Sequence, residues 1–185
     1  MQNAECGEVR MSILEYRPGE DTTINFLDYL GNPADGKGMV TELSLPEIMR
    51  QIETDSRIGE AGEQQRLLGF EAMEASITMK GISTELDLML KSKTVISGGG
   101  SNSITVQITG KALDRYSNTT VTIKYTLKGH IKKYAFHTSL TPNEKAEIEL
   151  QMTVWGFGHE LGTGNNFYFE PQAKKWEVNG VNLWA

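Results

Sequence analysis

The sequence predicts a mainly β protein, a β-sandwich or flattened barrel of about seven strands with one short flanking helix. Three observations carry this. From Val121 onward, Val121, Ile123, Tyr125, Leu127, Gly129 and Ile131 alternate with Thr122, Lys124, Thr126, Lys128, His130 and Lys132. That is the period-two signature of a strand with one buried and one wet face. A second run has the opposite parity, with Ile148, Leu150, Met152 and Val154 set against Glu147, Glu149, Gln151 and Thr153. Only Ser83–Lys93 makes a good helix, with Ser83 as N-cap and Leu86, Met89 and Leu90 on one side.

The two alternating runs are read as one long antiparallel hairpin over residues 118–158, connected through a loop at His137–Asn143. The register that puts both apolar sets on one face places Lys132 opposite Glu149 and Ile131 opposite Leu150. A basic strand then lies beside an acidic one, and such cross-strand pairs contribute roughly 0.2–1 kcal/mol each.

Taken in order, residues 1–20 are polar and read as an arm or weak edge strand, and residues 21–185 as the β domain. Thr22–Leu30 is a short strand, followed by a turn over Gly31–Gly36 whose residues tolerate tight backbone geometry. Gly38–Glu53 is ambiguous. It begins as a strand, but Ser44 with Glu47 is a capping-box signature for a helix after Pro46, and a strand whose phase flips at Pro46 fits equally well. Thr54–Gly69 is polar and reads as a long exposed loop, of the kind that usually carries a function. Phe70–Gly81 alternates as a strand, and so does the segment around Ile104, Val106 and Ile108. Gly98–Gly100 joins helix to strand, and Ser117–Asn118 turns the chain into the hairpin. A last strand runs from Phe167 to about Val178, and Asn179-Gly180 is a tight-turn pair. Trp155, Trp176 and Trp184 are expected to fill the core or an interface rather than form a ligand platform.

Composition bounds the function. The 185 residues suffice for one domain with its own core. A net charge of −6 argues against non-specific nucleic-acid binding through a basic patch. The single cysteine, Cys6, permits no internal disulfide. No apolar run reaches the roughly 18 residues of a membrane span, and the N-terminus does not read as a signal peptide. The expectation is a soluble protein folded in a cytoplasm.

No catalytic constellation emerges. His130, His137 and His159 lack metal-ligand spacing. There is no Gly-x-Ser-x-Gly elbow, and Gly98–Gly100 lacks the Gly-Lys-Ser/Thr ending of a phosphate loop. Glu147 and Glu149 share a strand face, but neighbouring carboxylates on an exposed strand do not make a glycosidase cleft. No enzymatic activity, metal or cofactor is expected.

Several stretches, in order, resemble the major tail tube proteins of contractile-tailed bacteriophages. Gly38-Met39-Val40-Thr41-Glu42-Leu43-Ser44-Leu45-Pro46-Glu47-Ile48 is similar to that family's Leu-Pro strand. Phe70–Gly81 resembles its next strand, and Ser83–Leu90 the short helix that follows. Leu127-Lys128-Gly129-His130 and the ending Trp176-Glu177-Val178-Asn179-Gly180-Val181-Asn182 complete the set, spanning roughly residues 22–182. Asn182 stands where the family has an acidic residue, and Asp55–Gly69 matches the family's glycine-rich element poorly.

The resemblance implies a structural subunit of a virion tail, assembled in the host bacterial cytoplasm. Six-fold rings of it would stack into a hollow tube, with strands of neighbouring subunits completing a shared β-barrel. Its partners would be copies of itself, the tail sheath, the baseplate or tube initiator, the tape measure and the tail terminator. DNA, or another payload in a headless particle, would pass through without specific binding. The resemblance also favours a strand broken at Pro46. Glu42, Ser44, Glu74, Ser76, Thr78, Glu149 and Gln151 are the expected lumen-facing residues. Arg57, Glu60, Glu63, Gln64 and Arg66 are the expected inter-ring contacts. The rival reading is a monomeric β-sandwich that binds carbohydrate or another surface ligand through its late aromatic residues.

Overall fold

A computed structural model describes residues 14–16, 22–28, 30–36, 39–55, 64–95, 103–115, 118–135, 147–162 and 165–184. The expectations for Cys6, the 98–100 joint, the 137–143 loop and most of the 1–20 arm lie outside the described residues.

The fold is mainly β. The described strands are β1 (Leu14–Tyr16), β2 (Thr23–Leu27), β3 (Pro33–Asp35), β4 (Val40–Ser44), β5 (Arg50–Asp55), β6 (Gln64–Phe70), β7 (Met73–Met79), β8 (Ser103–Asp114), β9 (Thr119–Ala135), β10 (Ile148–Leu161), β11 (Asn165–Glu170), β12 (Lys175–Val178) and β13 (Val181–Asn182). One helix, α1 (Thr84–Val95), lies against β9 and β3. Strand pairing in the main sheet runs β13-β12-β11-β10-β9-β8-β2-β3, with β7 and β4 branching from β10, and β1 from β8. The sheet is not closed into a barrel.

The expectation of about seven strands fell short because several strands are too short or too polar to show alternation. β3 lies inside the predicted turn and pairs with β2. That turn is drawn together by the Asp28 carboxylate, which accepts from the Leu30 and Asn32 backbone N–H at 2.9 and 2.8 Å. The predicted 54–69 loop is corrected too. Its flanks form a second, two-stranded sheet, with Arg50 opposite Phe70 and Asp55 opposite Gln64. This polar ribbon is held by backbone pairing, which leaves no hydrophobic period in the sequence. The predicted last strand is two strands, β11 and β12. They are separated at Pro171–Ala173 by a 3-10 turn whose following residue, Lys174, is left-handed at φ 51°. At Asn179-Gly180 both residues have positive φ, 51° and 81°, and the β12–β13 hairpin closes around them as predicted.

The ambiguous Gly38–Glu53 segment is two strands interrupted at Pro46. β4 pairs with β7, β5 pairs with β6, and no helix forms between them. The predicted helix is present, and the Ser83 hydroxyl caps it by accepting from the Leu86 N–H at 3.2 Å.

β9 and β10 form the predicted long hairpin, and β10 is also the branch point. One of its edges pairs with β9 along its length. The other pairs first with β7, from Ile148 to Val154, and then with β11, from Phe157 to Leu161. Two bulges punctuate the β9–β10 ladder. On β9 the extra residue is Lys132, between the Gln151–Lys133 and Met152–Ile131 pairs. On β10 it is Trp155, between the Val154–Gly129 and Gly156–Lys128 pairs. Gly129 sits at the closest approach, where a Cβ would lie 2.4 Å from the Thr153 carbonyl oxygen.

The predicted register is not the one formed. Glu149 lies opposite Ala135 and Leu150 opposite Tyr134. The predicted register is three residues off there: the Lys132 bulge accounts for one of the three and reverses the parity, and the other two separate the predicted pairing from the odd-parity ladder that does form between the bulges, since parity leaves slips of two residues open.

The core consists of Met73, Ala75, Ile77 and Met79 of β7, Ile148, Leu150, Met152 and Val154 of β10, and Ile104, Val106 and Ile108 of β8, joined by Phe26, Leu127 and Phe169. Leu86 and Leu90 of α1 complete it. Tyr134 ties helix to sheet, its hydroxyl donating to the Asp87 carboxylate at 2.9 Å. Lys91 donates to the same carboxylate at 2.6 Å. These two donors, Lys91 foremost, hold the Asp87 carboxyl below its ordinary range against an opposing effect of burial, while burial and the Asp87 partnership push the Tyr134 phenol up.

Candidate functional site: a polar sheet face

Because β7 has its apolar residues at odd numbers, Glu74, Ser76 and Thr78 point away from the core. β10 does the same with Glu149, Gln151 and Thr153. The register brings them side by side, Glu149 opposite Thr78, Gln151 opposite Ser76 and Thr153 opposite Glu74. β4 adds Glu42 opposite Thr78 and Ser44 opposite Ser76. All seven residues singled out from the sequence therefore share one continuous face of three adjacent strands. On the far side β9 extends it with Lys133, opposite Gln151, and His130, opposite Thr153.

The face is laced with ion pairs. Lys132 reaches across β10 to Glu74 at 2.5 Å, Lys133 meets Glu149 at 2.7 Å, and just past the paired ends of β7 and β10 Lys80 meets Glu147 at 3.3 Å. The expected Lys132–Glu149 pair is not formed. Glu149 is held by Lys133, and Lys132 goes to Glu74, because the β9 bulge re-aims both lysines. Gln151 also donates to Glu149 at 2.6 Å. Lys133 first, and Gln151 second, hold the Glu149 carboxyl below its ordinary range. Glu42 has no basic partner among the described residues.

At its outer edge β4 pairs with no described strand beyond β7. Its ladder with β7 carries a bulge between Val40 and Glu42, beside which the Thr41 hydroxyl donates to the Thr78 carbonyl at 3.2 Å. Among the described residues the polar face thus ends at a strand edge with no further partner.

Beyond the Trp155 bulge the same side of the sheet changes character. Gly156 and Gly158 of β10 leave room for Tyr168 of β11, whose ring and hydroxyl lie within 3.2 and 3.3 Å of where their Cβ atoms would be. The Tyr168 hydroxyl accepts from Lys128 at 3.0 Å and donates to Glu170 at 2.5 Å. Burial, then Glu170, pushes this phenol up. Lys175 sits over the ring at 4.7 Å. On the inner side of this half, Tyr125 stacks on His159 with centroids 4.8 Å apart. Burial lowers the His159 imidazole. His159 Nε2 and Trp155 Nε1 are buried without a hydrogen-bond partner. The sequence carried no sign of this cluster, apart from the glycines at alternate positions.

Of the expected inter-ring residues, Arg57, Glu60 and Glu63 lie outside the described residues. Gln64 and Arg66 fall on β6, paired with Asp55 and Glu53. At the base of that hairpin, Phe70, Phe169, Trp176 and Trp184 form an edge-on and tilted aromatic cluster with centroids 4.7 to 6.4 Å apart. Arg50 is set over Phe70 and Trp176 at 5.5 and 5.3 Å. Trp176 and Trp184 therefore pack on the core and fasten the hairpin to the main sheet. Among the described residues there is no cluster of His, Cys, Asp or Glu able to hold a metal ion.

Comparison with known proteins adds a family. The model of the phage tail tube protein FII family matches residues 24–185. Two solved structures share the fold. One is the anti-feeding prophage baseplate, symmetrised six-fold, with a TM-score of 0.53 at 14% identity over 78% of this chain and 95% of the other. The second is the tube-terminating cap of the same particle, with a TM-score of 0.53 at 12% identity over 82% of this chain and 95% of the other. No curated protein matches the sequence.

Proposed function

The chain belongs to the phage tail tube protein FII family and is a tail-tube-like structural component of a virion tail, and from that premise we propose that six copies close into a ring and that rings stack into a hollow tube. In this reading the β4 edge is completed by a strand of the neighbouring copy. The face bearing Glu42, Ser44, Glu74, Ser76, Thr78, Glu149 and Gln151 then lines the lumen. The observation that carries it is the continuity of that polar face up to β4, whose outer edge has no partner among the described residues. An open edge invites pairing and is a liability unless something covers it, and ring closure removes it. The face has no excess positive charge, which suits a passage for DNA or another anionic payload.

The stretch of sequence between β5 and β6, with Arg57, Glu60 and Glu63, is assigned to contacts between rings. The sheath, the tube initiator at the baseplate, the tape measure and the tail terminator are the remaining partners, and assembly takes place in the host cytoplasm. The protein has no catalytic role in this reading.

Negative-stain microscopy of the purified protein is the test. Rings or tubes of uniform width are expected. A monodisperse monomer at high concentration would sink the reading. Removing residues 57–62, which leaves β5 and β6 intact, should give a folded subunit that forms rings without long tubes. Tubes of undiminished length from that deletion would discard the inter-ring assignment.

A further inference from the structure

Lys132 and Lys133 are consecutive, so on a regular strand they would point to opposite faces. The β9 bulge puts both on the polar face, where each finds a carboxylate on a different strand, Glu74 on β7 and Glu149 on β10. Lys80 with Glu147 adds a third pair on the same side. Three lysine ammonium groups on one sheet face would form a stripe able to hold phosphates. Here each lies within 3.3 Å of a carboxylate oxygen, and Glu42 leaves the set one negative charge in excess.

We propose that these carboxylates mask the lysines, so that the face does not retain a polyanion. The pairs are well exposed, with most of the side chains 46 to 59% accessible, and pairs of that kind add little to stability. Their effect on a passing phosphate does not depend on that. Within a Debye length of about 8–10 Å, a strand of DNA meets nearly cancelling charge in place of a basic stripe. Strand geometry alone would expose only one lysine of the Lys132-Lys133 pair. The bulge exposes both and sets each beside its own neutralising partner. The inference rests on the tube reading for where the face points, but not for its charge chemistry.

The test is the triple variant E74Q/E147Q/E149Q, which raises the net charge from −6 to −3. The probe is a fluorescein-labelled single-stranded 20-mer DNA, followed by anisotropy across a salt series. The wild type should bind weakly. The variant should bind at least about tenfold more tightly at low salt, with a log–log salt slope of about −2, as three released phosphate contacts on a single strand require. Adding K132Q and K133Q should abolish most of the gain. A folded triple variant with unchanged circular dichroism that binds no better than wild type overturns the proposal, as does a wild type that already binds as tightly. Nuclease treatment of variant assemblies tests the tube reading separately. Protected oligonucleotide places the face in the lumen, whereas digestion with the binding gain intact leaves the masking standing and refutes the lumen assignment.

Discussion

The two halves of the β9–β10 hairpin are built from the same alternation and do different work. In the half before the Trp155 bulge, residues 148–154 and 129–135, β10 is flanked on both edges by β7 and β9, and its aliphatic side chains are buried with those of α1. In the half beyond it, residues 156–161 and 121–128, the inner face is a half-buried aromatic ladder of Tyr125, Phe157 and His159, and the outer face carries glycines beneath Tyr168. The first half closes the subunit's core. The second carries a ring stack and, in His159 Nε2, a buried polar atom with no hydrogen-bond partner among the described residues. A single long hairpin can thus serve as foundation at one end and as a less completed surface at the other, with two bulges marking the change.

The strongest way to break this comparison is to excavate the first half. Leu150→Ala should cost about 2–5 kcal/mol, as for a fully buried leucine. Phe157→Ala, in the half-buried ladder, should cost clearly less than the 3–5 kcal/mol of a buried phenylalanine. Urea denaturation of both variants checks the order, and equal losses would erase the distinction. Gly129→Ala should be the next largest, about 1–3 kcal/mol, because its methyl would collide with the Thr153 backbone between the bulges. Thermal unfolding at the wild-type temperature would show the bulge geometry to be adaptable.

Smaller effects sharpen the contrast. Tyr134→Phe should cost about 1 kcal/mol by removing a donor to the Asp87 carboxylate. Asp87 has a depressed folded pKa, so its contribution is present above the ordinary aspartate value near 4 and is lost as pH falls through the folded value. Mutant and wild type should therefore converge in strong acid, which chemical denaturation at several pH values would detect.

In the far half, His159 also has a lowered pKa, from burial. The stability it contributes is present above the ordinary imidazole value near 6.5 and is lost as pH falls through the folded value. The melting temperature of the wild type should drop more between pH 7 and 5 than that of His159→Gln. Parallel pH profiles would contradict this. Least of all, Lys124→Gln should change stability by no more than about 1 kcal/mol, since its pair with Glu160 at 3.5 Å is exposed.

Much of the fold was legible in the sequence because it is local. Ser83 announces the helix by offering a cap, and Asn179-Gly180 announces a turn because both residues tolerate positive φ. The polar face was legible for a related reason. Once a strand buries its odd residues, covalent geometry sends the even ones to the other side, so Glu74, Ser76 and Thr78 were bound to share a face whatever surrounded them. β5 and β6 were hidden because Arg50–Asp55 and Gln64–Phe70 carry no regular two-residue alternation of apolar and polar residues to read. The Tyr168 cluster was hidden because its members meet only across strands.

By itself, then, the sequence determined which side chains lie together along each regular stretch of the alternating strands and where the helix and the Asn179-Gly180 turn begin. Only the tertiary structure decided how the strands are set against one another. The Lys132 and Trp155 bulges, the shared edge of β10 and the choice of Glu74 and Glu149 as lysine partners all depend on register. Register is fixed by packing at a distance, where one inserted residue re-aims every side chain that follows.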